Sequence, residues 1–153
     1  MQKLVDALLG QRKQKTYQVG SSRIVLQTLT AGEQTDVSRI IGGRNFDFAS
    51  QAEIAKIPVL ARSLVLINDV GIDAQPEVRE KLRGDPMLSP VQAIEQVLSE
   101  FDWGIIDHLF SNCYSDLVQD RAKELDALKN SSRDQSAELS GKSAPSSAQP
   151  PVA

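Results

Sequence analysis

The apolar stretch at residues 50–69 constrains the fold more than any other part of this sequence. Its apolar side chains recur three or four positions apart, at Ile54, Ile57, Ala61, Leu64 and Ile67. Further aliphatic residues lie between them, so a helix here is apolar around most of its circumference and must be buried. Ser50 and Glu53 have the spacing of a capping box, which predicts the start of the helix. We expect this stretch to form the central helix of one core.

Pro58 lies inside this predicted helix. A proline in a helix interior removes a backbone hydrogen bond and costs about 3 kcal/mol. We therefore expect a bend or a break near Lys56 and Ile57. Asn68 and Asp69 are residues typical of turns, and we expect them to close the segment.

A β-hairpin is predicted before the central helix. Tyr17 and Val19 lead into the turn residues 20–22, and three apolar residues at 24–26 follow. Two strands are unstable by themselves in water, so the hairpin needs a helix beneath it or a third strand from a neighbour. Its free edges are a candidate assembly surface.

Start signals predict several more helices. Capping-box pairs, helix-opening prolines and one N-cap aspartate mark their first turns: Thr30 with Glu33, Pro76, Ser89 with Pro90 and Gln92, and Asp102. The last of these opens a long final helix with an apolar stripe: Trp103, Ile106, Phe110, Cys113 and Leu117. The expected fold class is mainly α with a small N-terminal β-hairpin, that is, α+β.

Changes in composition divide the chain into three parts. Residues 1–15 form a short amphipathic helix and a basic linker, and residues 16–130 form the hairpin and the compact helical domain. Residues 131–153 are rich in Ser, Ala, Gln and Pro and are expected to be a disordered tail.

The charge balance and the single cysteine exclude several classes of protein. The formal net charge is −3, which gives no general attraction to nucleic acid. Arg12, Lys13 and Lys15 are the cations through which a regulator would contact phosphate. With only Cys113, no intrachain disulfide is possible, and a reducing compartment is expected. The sequence shows no membrane span and no convincing signal peptide, and we expect a cytoplasmic location.

No catalytic constellation is evident in the sequence. His108 is the only histidine, and neither Asp102 nor Asp107 is spaced to orient it, so a surface or boundary position is expected. Cys113 lies on the apolar stripe and is expected to be a buried structural thiol. One His and one Cys exclude a zinc site of the usual kind. Glu100, with Asp102 and Asp107, could accept a basic partner. We expect no enzyme activity, no metal and no cofactor.

The order of elements resembles that of a known family. A short hairpin runs into Leu29-Thr30-Ala31-Gly32-Glu33, a helix and a polar loop follow, and then comes Ile57-Pro58-Val59-Leu60-Ala61 with Leu66-Ile67-Asn68-Asp69. Phe101-Asp102-Trp103 leads into Leu109 and Tyr114. This arrangement resembles the small tail-assembly and baseplate-hub assembly proteins of tailed bacteriophages over roughly two thirds of the chain. The resemblance implies a helper that binds a hub, tape-measure or baseplate protein in the cytoplasm of the infected host.

Three functions are compatible with these features. The first is a non-enzymatic assembly chaperone that binds a structural tail protein and has no contact with membranes. The second is a minor structural subunit of the virion baseplate, hub or neck, and the third is a small nucleic-acid-binding regulator. A homo-oligomer is compatible with each. The partner surface is expected to be apolar, on the N-terminal helix, the hairpin and the end of the final helix: Leu4, Val5, Leu8, Leu9, Ile24, Leu26, Leu125 and Leu128.

Overall fold

The computed structural model describes residues 2–3, 12–42 and 48–143. It is mainly helical with a small antiparallel sheet near the N-terminus, which confirms the expected fold class. The chain divides into two compact units, Arg12–Gln119, and Met1–Gln11 together with Asp120–Ala153. The composition of the sequence predicts domain limits after residues 15 and 130, whereas the compact units are divided after residues 11 and 119.

Four strands form one antiparallel sheet in sequence order. They are β1 (Gln14–Val19), β2 (Ser22–Gln27), β3 (Leu64–Ile67) and β4 (Val70–Gly71). β1 and β2 are the predicted hairpin, closed by Gly20 with a φ of 61°. The third strand that a hairpin needs comes from the same chain, because β3 pairs with β2.

The expectation of a helix over residues 50–69 is wrong in its last part. The helix ends at Ser63, and Leu64–Ile67 is strand β3. A short apolar run has the same periodicity in a buried helix and in a buried strand. The turn decides between them, because Asn68 and Asp69 adopt left-handed φ values of 50° and 66°, as a two-residue hairpin turn requires. Asn68 also accepts a hydrogen bond from the backbone N–H of Arg23, which ties the turn to β2.

The helix before β3 is neither capped by Ser50 nor divided at Pro58. It runs from Phe48 to Ser63, so Ser50 lies inside it. Of the bend or break expected near Lys56 and Ile57, the break is wrong, and the bend stays a prediction. Val59 and Leu60 directly after the proline are 5% and 0% exposed. Burying such side chains contributes roughly 1.5–3 kcal/mol each, which offsets the cost of the interior proline.

The remaining helices are numbered in chain order. They are α1 (Ala31–Gly42), α2 (Phe48–Ser63, described above), α3 (Pro76–Gly84), α4 (Pro90–Ser99), α5 (Trp103–His108) and α6 (Ser115–Ser143), with a 3-10 turn at Ile72–Ala74 and a π-helical turn at Leu109–Tyr114. α6 extends past the expected boundary at residue 131, and residues 144–153 lie outside the described part.

The predicted caps of three helices are confirmed by their hydrogen bonds. Thr30 and Glu33 exchange side chain–backbone bonds at the start of α1. Ser89 and Gln92 do the same at the start of α4. Asp102 accepts from the backbone N–H of Gly104 at 2.8 Å. Each cap satisfies N–H groups that a helix start leaves without intrahelical partners.

One hydrophobic core joins the inner face of the sheet to the helices within Arg12–Gln119. Its most buried members come from β2, α2, β3, α3, α4, α5, the π-helical turn and the start of α6: Leu26, Leu60, Leu64, Val78, Leu98, Ile106, Leu109 and Leu117. Cys113 is also buried in this core, as expected.

Candidate protein-interaction surfaces

Two of the residues expected on the partner surface are buried in the core. Ile24 and Leu26 are 6% and 0% exposed, because β2 is an interior strand and both side chains face the core. Their proposed role in contacting a partner is therefore wrong. Leu125 and Leu128 are partly exposed on α6, and their role stays a prediction. The four apolar residues predicted on the N-terminal helix lie outside the described residues: Leu4, Val5, Leu8 and Leu9.

Residues 101–105 expose three large apolar side chains within one short segment. Phe101, Trp103 and Ile105 are 38%, 49% and 44% exposed. The cap on α5 fixes the local backbone, because Asp102 bonds to the N–H of Gly104. A Cβ at position 104 would lie 2.9 Å from the Asp102 Oδ1 atom, so a larger residue there would make the Asp102 side chain shift from its capping position. We call residues 101–105 the aromatic segment.

Trp103 belongs to the apolar stripe predicted for the final helix, but its side chain is half exposed. Ile106, Cys113 and Leu117 of the same stripe are buried, whereas Trp103 is half exposed. Trp103 is the first residue of α5, so it lies at the rim of the core rather than within it.

Lys56 supports the aromatic segment from the neighbouring helix α2. Its Nζ atom lies 5.2 Å from the centroid of the Trp103 ring and 6.0 Å from that of Phe110. The same atom is 2.7 Å from Asp107 Oδ1 and 3.0 Å from Glu53 Oε1. A cation over an aromatic face is attracted by the ring quadrupole, so Lys56 packs favourably on one face of the Trp103 ring. We call these residues the Lys56 cluster.

The charges of the Lys56 cluster stabilise each other. The hydrogen bond that Lys56 donates to Asp107 is the largest cause that raises the pKa of Lys56, and burial opposes it. The hydrogen bond from Lys56 lowers the pKa of Asp107, and the hydroxyl of Ser111 acts in the same direction. Only 9% of the Lys56 side chain is exposed, but about half of each carboxylate side chain reaches solvent. The ammonium therefore stays charged in an apolar setting because carboxylates pair with it.

The acidic residues near Trp103 are engaged within the chain. Glu100 pairs with Lys81 at 2.5 Å, Asp102 caps α5, and Asp107 pairs with Lys56. They were predicted to be able to accept a basic partner. In this structure each of these carboxylates contacts a lysine or a backbone N–H group of the same chain.

A second polar group lies beside the edge strand β1. The Tyr17 hydroxyl donates to Asp116 Oδ2 at 2.7 Å, and Lys15 Nζ approaches the same oxygen at 2.8 Å. Lys15 Nζ also lies 5.7 Å from the centroid of the Tyr17 ring. Burial, followed by the hydrogen bond to Asp116, raises the pKa of Tyr17 well above its usual range. Burial also raises the pKa of the nearby Cys113 thiol. Both groups are neutral at physiological pH.

Two open grooves are lined by described residues. One, of about 530 Å³, has two arginines, an aspartate and an apolar floor: Asp73, Arg79, Leu82, Arg83 and Pro90. The other, of about 400 Å³, has apolar walls from α1 and α2 and a polar rim from α4, including Ile40, Ile57 and Gln96. Among the lining residues that the structure describes, none is a Ser, Cys or Lys set beside a histidine or a paired base, as nucleophilic catalysis needs.

The single histidine, metal-binding groups and membrane-spanning helices are the remaining features to place. His108 is exposed, as expected, and its Nδ1 atom lies 2.7 Å from the side-chain amide of Asn112. Among the described residues, no group of three or more His, Cys, Asp and Glu side chains is placed to hold a metal ion. Within the same residues, no helix has the length and apolar character to cross a membrane.

The basic residues proposed for nucleic-acid contact are partly neutralised. Arg12 pairs with Glu33 at 2.7 Å, and Lys15 pairs with Asp116. An ion-paired cation adds little to the release of counterions that drives binding to phosphate. This geometry gives a nucleic-acid regulator no support.

No protein-family model, curated protein or solved structure matches the chain.

Proposed function

We propose that this chain is a non-enzymatic protein-binding module that takes part in the assembly of a bacteriophage tail or baseplate. The observation that carries the protein-binding role is the aromatic segment, with Trp103 half exposed and packed on one face by Lys56. The more specific role rests on the resemblance in element order described above. The partner is a structural tail component, such as the hub, tape measure or a baseplate protein, met in the host cytoplasm.

The aromatic segment suits a protein partner for two physical reasons. Tryptophan is among the residues that dominate binding energy at protein interfaces when their exposed surface becomes buried. Lys56 also packs on the Trp103 ring before binding, so less side-chain freedom is lost when a partner covers it. An apolar side chain of the partner would pack on the uncovered surface of the ring, with Phe101 and Ile105 beside it.

Copurification tests this role directly. The chain would be tagged and co-expressed with the hub, tape-measure and baseplate proteins of the same phage, then recovered by affinity chromatography. We expect one tail component to copurify with the wild-type chain and to be lost with Trp103→Ala. Met87→Ala is the matched control, because Met87 is 90% exposed and lies outside the aromatic segment. Recovery of the chain alone, or equal recovery with Trp103→Ala, would count against the proposal.

The same surface would also serve a minor structural subunit that stays in the virion. Mass spectrometry of purified particles separates the two roles, since an assembly chaperone is expected to be absent or far below stoichiometric amounts. We favour the chaperone because the described fold offers one small exposed segment of large apolar side chains. Permanent subunits generally bury large, continuous apolar surfaces.

A further inference from the structure

The two edges of the sheet differ in how they are protected. At one edge, β4 has only two residues, and the Gln75 side chain donates to the backbone carbonyls of Ile67 and Val70. At the other edge, β1 has six residues without proline, glycine or a bulge. No described strand pairs with the outer side of β1. A regular edge of this kind is a template for another strand.

The register of the hairpin shows which backbone groups point outward from β1. Lys13 and Thr28 are a hydrogen-bonded pair, since the Thr28 N–H donates to the Lys13 carbonyl at 2.9 Å. Hydrogen-bonded and non-bonded pairs alternate along an antiparallel ladder. Lys15 and Tyr17 therefore bond to β2. The N–H and C=O groups of Gln14, Thr16 and Gln18 point away from it.

We propose that this edge binds a second copy of the chain, with β1 pairing antiparallel to β1 across a two-fold axis at Thr16. In this register Thr16 faces Thr16 of the other copy, and Gln14 faces Gln18. Each such pair exchanges two backbone hydrogen bonds. The result is one continuous eight-stranded sheet formed by two four-stranded sheets. This inference does not rest on the proposed role in tail assembly.

Charge and backbone pairing together favour this register over its two neighbours. With the axis at Thr16, Lys15 lies opposite Tyr17 of the other copy, in a closely spaced non-bonded pair. Lys15 already lies over its own Tyr17 ring, so the pairing places a cation between two aromatic faces. A shift of the axis to Lys15 would set Lys15 against Lys15, and like charges directly opposite each other are unfavourable. A shift to Tyr17 would leave Gln14 without a hydrogen-bonded partner.

Thr16 allows a test that leaves the monomer intact. Its side chain is exposed, and its backbone groups are not used in the ladder with β2. Thr16→Lys places two lysines at the axis, and Thr16→Glu places two glutamates there. An equimolar mixture of the two variants would bring opposite charges together. Thr35→Lys, at an exposed position on α1, is the matched control for an added charge.

Sedimentation equilibrium of the full chain and of each variant measures the dimer directly. We expect a dimer for the wild type and for Thr35→Lys, at least about a tenfold weaker dimer for each Thr16 variant alone, and recovery in the mixture. Thermal unfolding would confirm that each variant is folded. A wild-type monomer at all concentrations up to about 1 mM would overturn the proposal. So would a dimer that the Thr16 variants leave unchanged.

Discussion

The Nζ atom of Lys56 lies 2.7 Å from Oδ1 of Asp107 and joins the interior of α2 to α5. It also covers one face of Trp103. The exposed aromatic segment and the most buried ammonium described in the fold are thus parts of one cluster. Substitutions at Lys56 test the stability of this cluster, and substitutions at Trp103 test the binding of a partner.

Removing the Lys56 charge should destabilise the fold. In Lys56→Met the long apolar stem is kept, while the ammonium that pairs with Asp107 and Glu53 is lost. We expect the free energy of unfolding, measured by urea denaturation, to fall by about 1–2 kcal/mol, since hydrogen bonds to charged groups are the stronger ones.

Lys81→Met is the control for this substitution. Lys81 and Glu100 are 34% and 60% exposed, and a surface ion pair of this kind contributes between about 0 and 1 kcal/mol. If both methionine variants lose equal stability, the Lys56 cluster has no special role in the fold.

The contribution of the Lys56 cluster should depend on pH at both extremes. The pKa of Asp107 is lowered from 3.8, so its stabilisation is complete above that value and is lost as the pH falls through the lower folded pKa. The pKa of Lys56 is raised from 10.5, so its stabilisation is complete below that value and is lost as the pH rises through the higher folded pKa.

Urea denaturation measured from below pH 3.8 to above pH 10.5 tests this pH dependence. The stability difference between the wild type and Lys56→Met should be constant between pH 3.8 and 10.5 and should shrink outside both limits. A difference that changes near neutral pH would point to another titrating group.

The turn between β3 and β4 should respond to glycine and to valine in opposite ways. Asp69 has a φ of 66°, which glycine adopts without strain and a β-branched residue resists. We expect Asp69→Val to reduce the free energy of unfolding by about 1–2 kcal/mol. Asp69→Gly should lose only the exposed ion pair with Arg23 and stay near the wild type. If both variants lose the same free energy of unfolding, measured by heat or urea, the backbone conformation at residue 69 is not the cause of the loss.

The Cys113 thiol should be inert in the folded protein. It is 5% exposed, and burial, followed by the charge of Asp116, raises its pKa. Because the thiolate is the reactive form, alkylation should be slow in native buffer and should speed up only as the chain unfolds. The urea-denatured chain supplies the reference rate. Rapid labelling under native conditions, with stability unchanged, would show that the thiol is accessible.

Local signals predicted the helix starts and the hairpin because each is decided within a few residues. The pairs Thr30–Glu33 and Ser89–Gln92 form the capping bonds that their spacing predicts. β3 was missed because Leu64–Ile67 is four apolar residues long, and such a run fits a buried helix or a buried strand equally well. The two-residue Asn-Asp turn after it is the signal that distinguishes them, since it fits a hairpin turn as well as the end of a helix.

The candidate surface was harder to predict than the fold. Exposure of Trp103 depends on its position at the start of α5, at the rim of the core, which the helical spacing alone does not reveal. The sequence signal for Lys56 is a cation three residues after Glu53 inside an apolar stretch, because a buried cation there needs a partner. Asp107 lies far from it in sequence, so only the packing of α2 against α5 could show the pair.

Trp103 is the only tryptophan in the chain, which makes its environment directly measurable. A chain labelled with fluorinated tryptophan gives a fluorine resonance from this one site. Unlabelled hub, tape-measure and baseplate proteins of the same phage would be added in turn. We predict that one of them shifts or broadens the resonance as it covers the indole, and that it does so equally for Met87→Ala. A resonance unchanged by every tail component would contradict the proposal that the aromatic segment binds a structural tail protein.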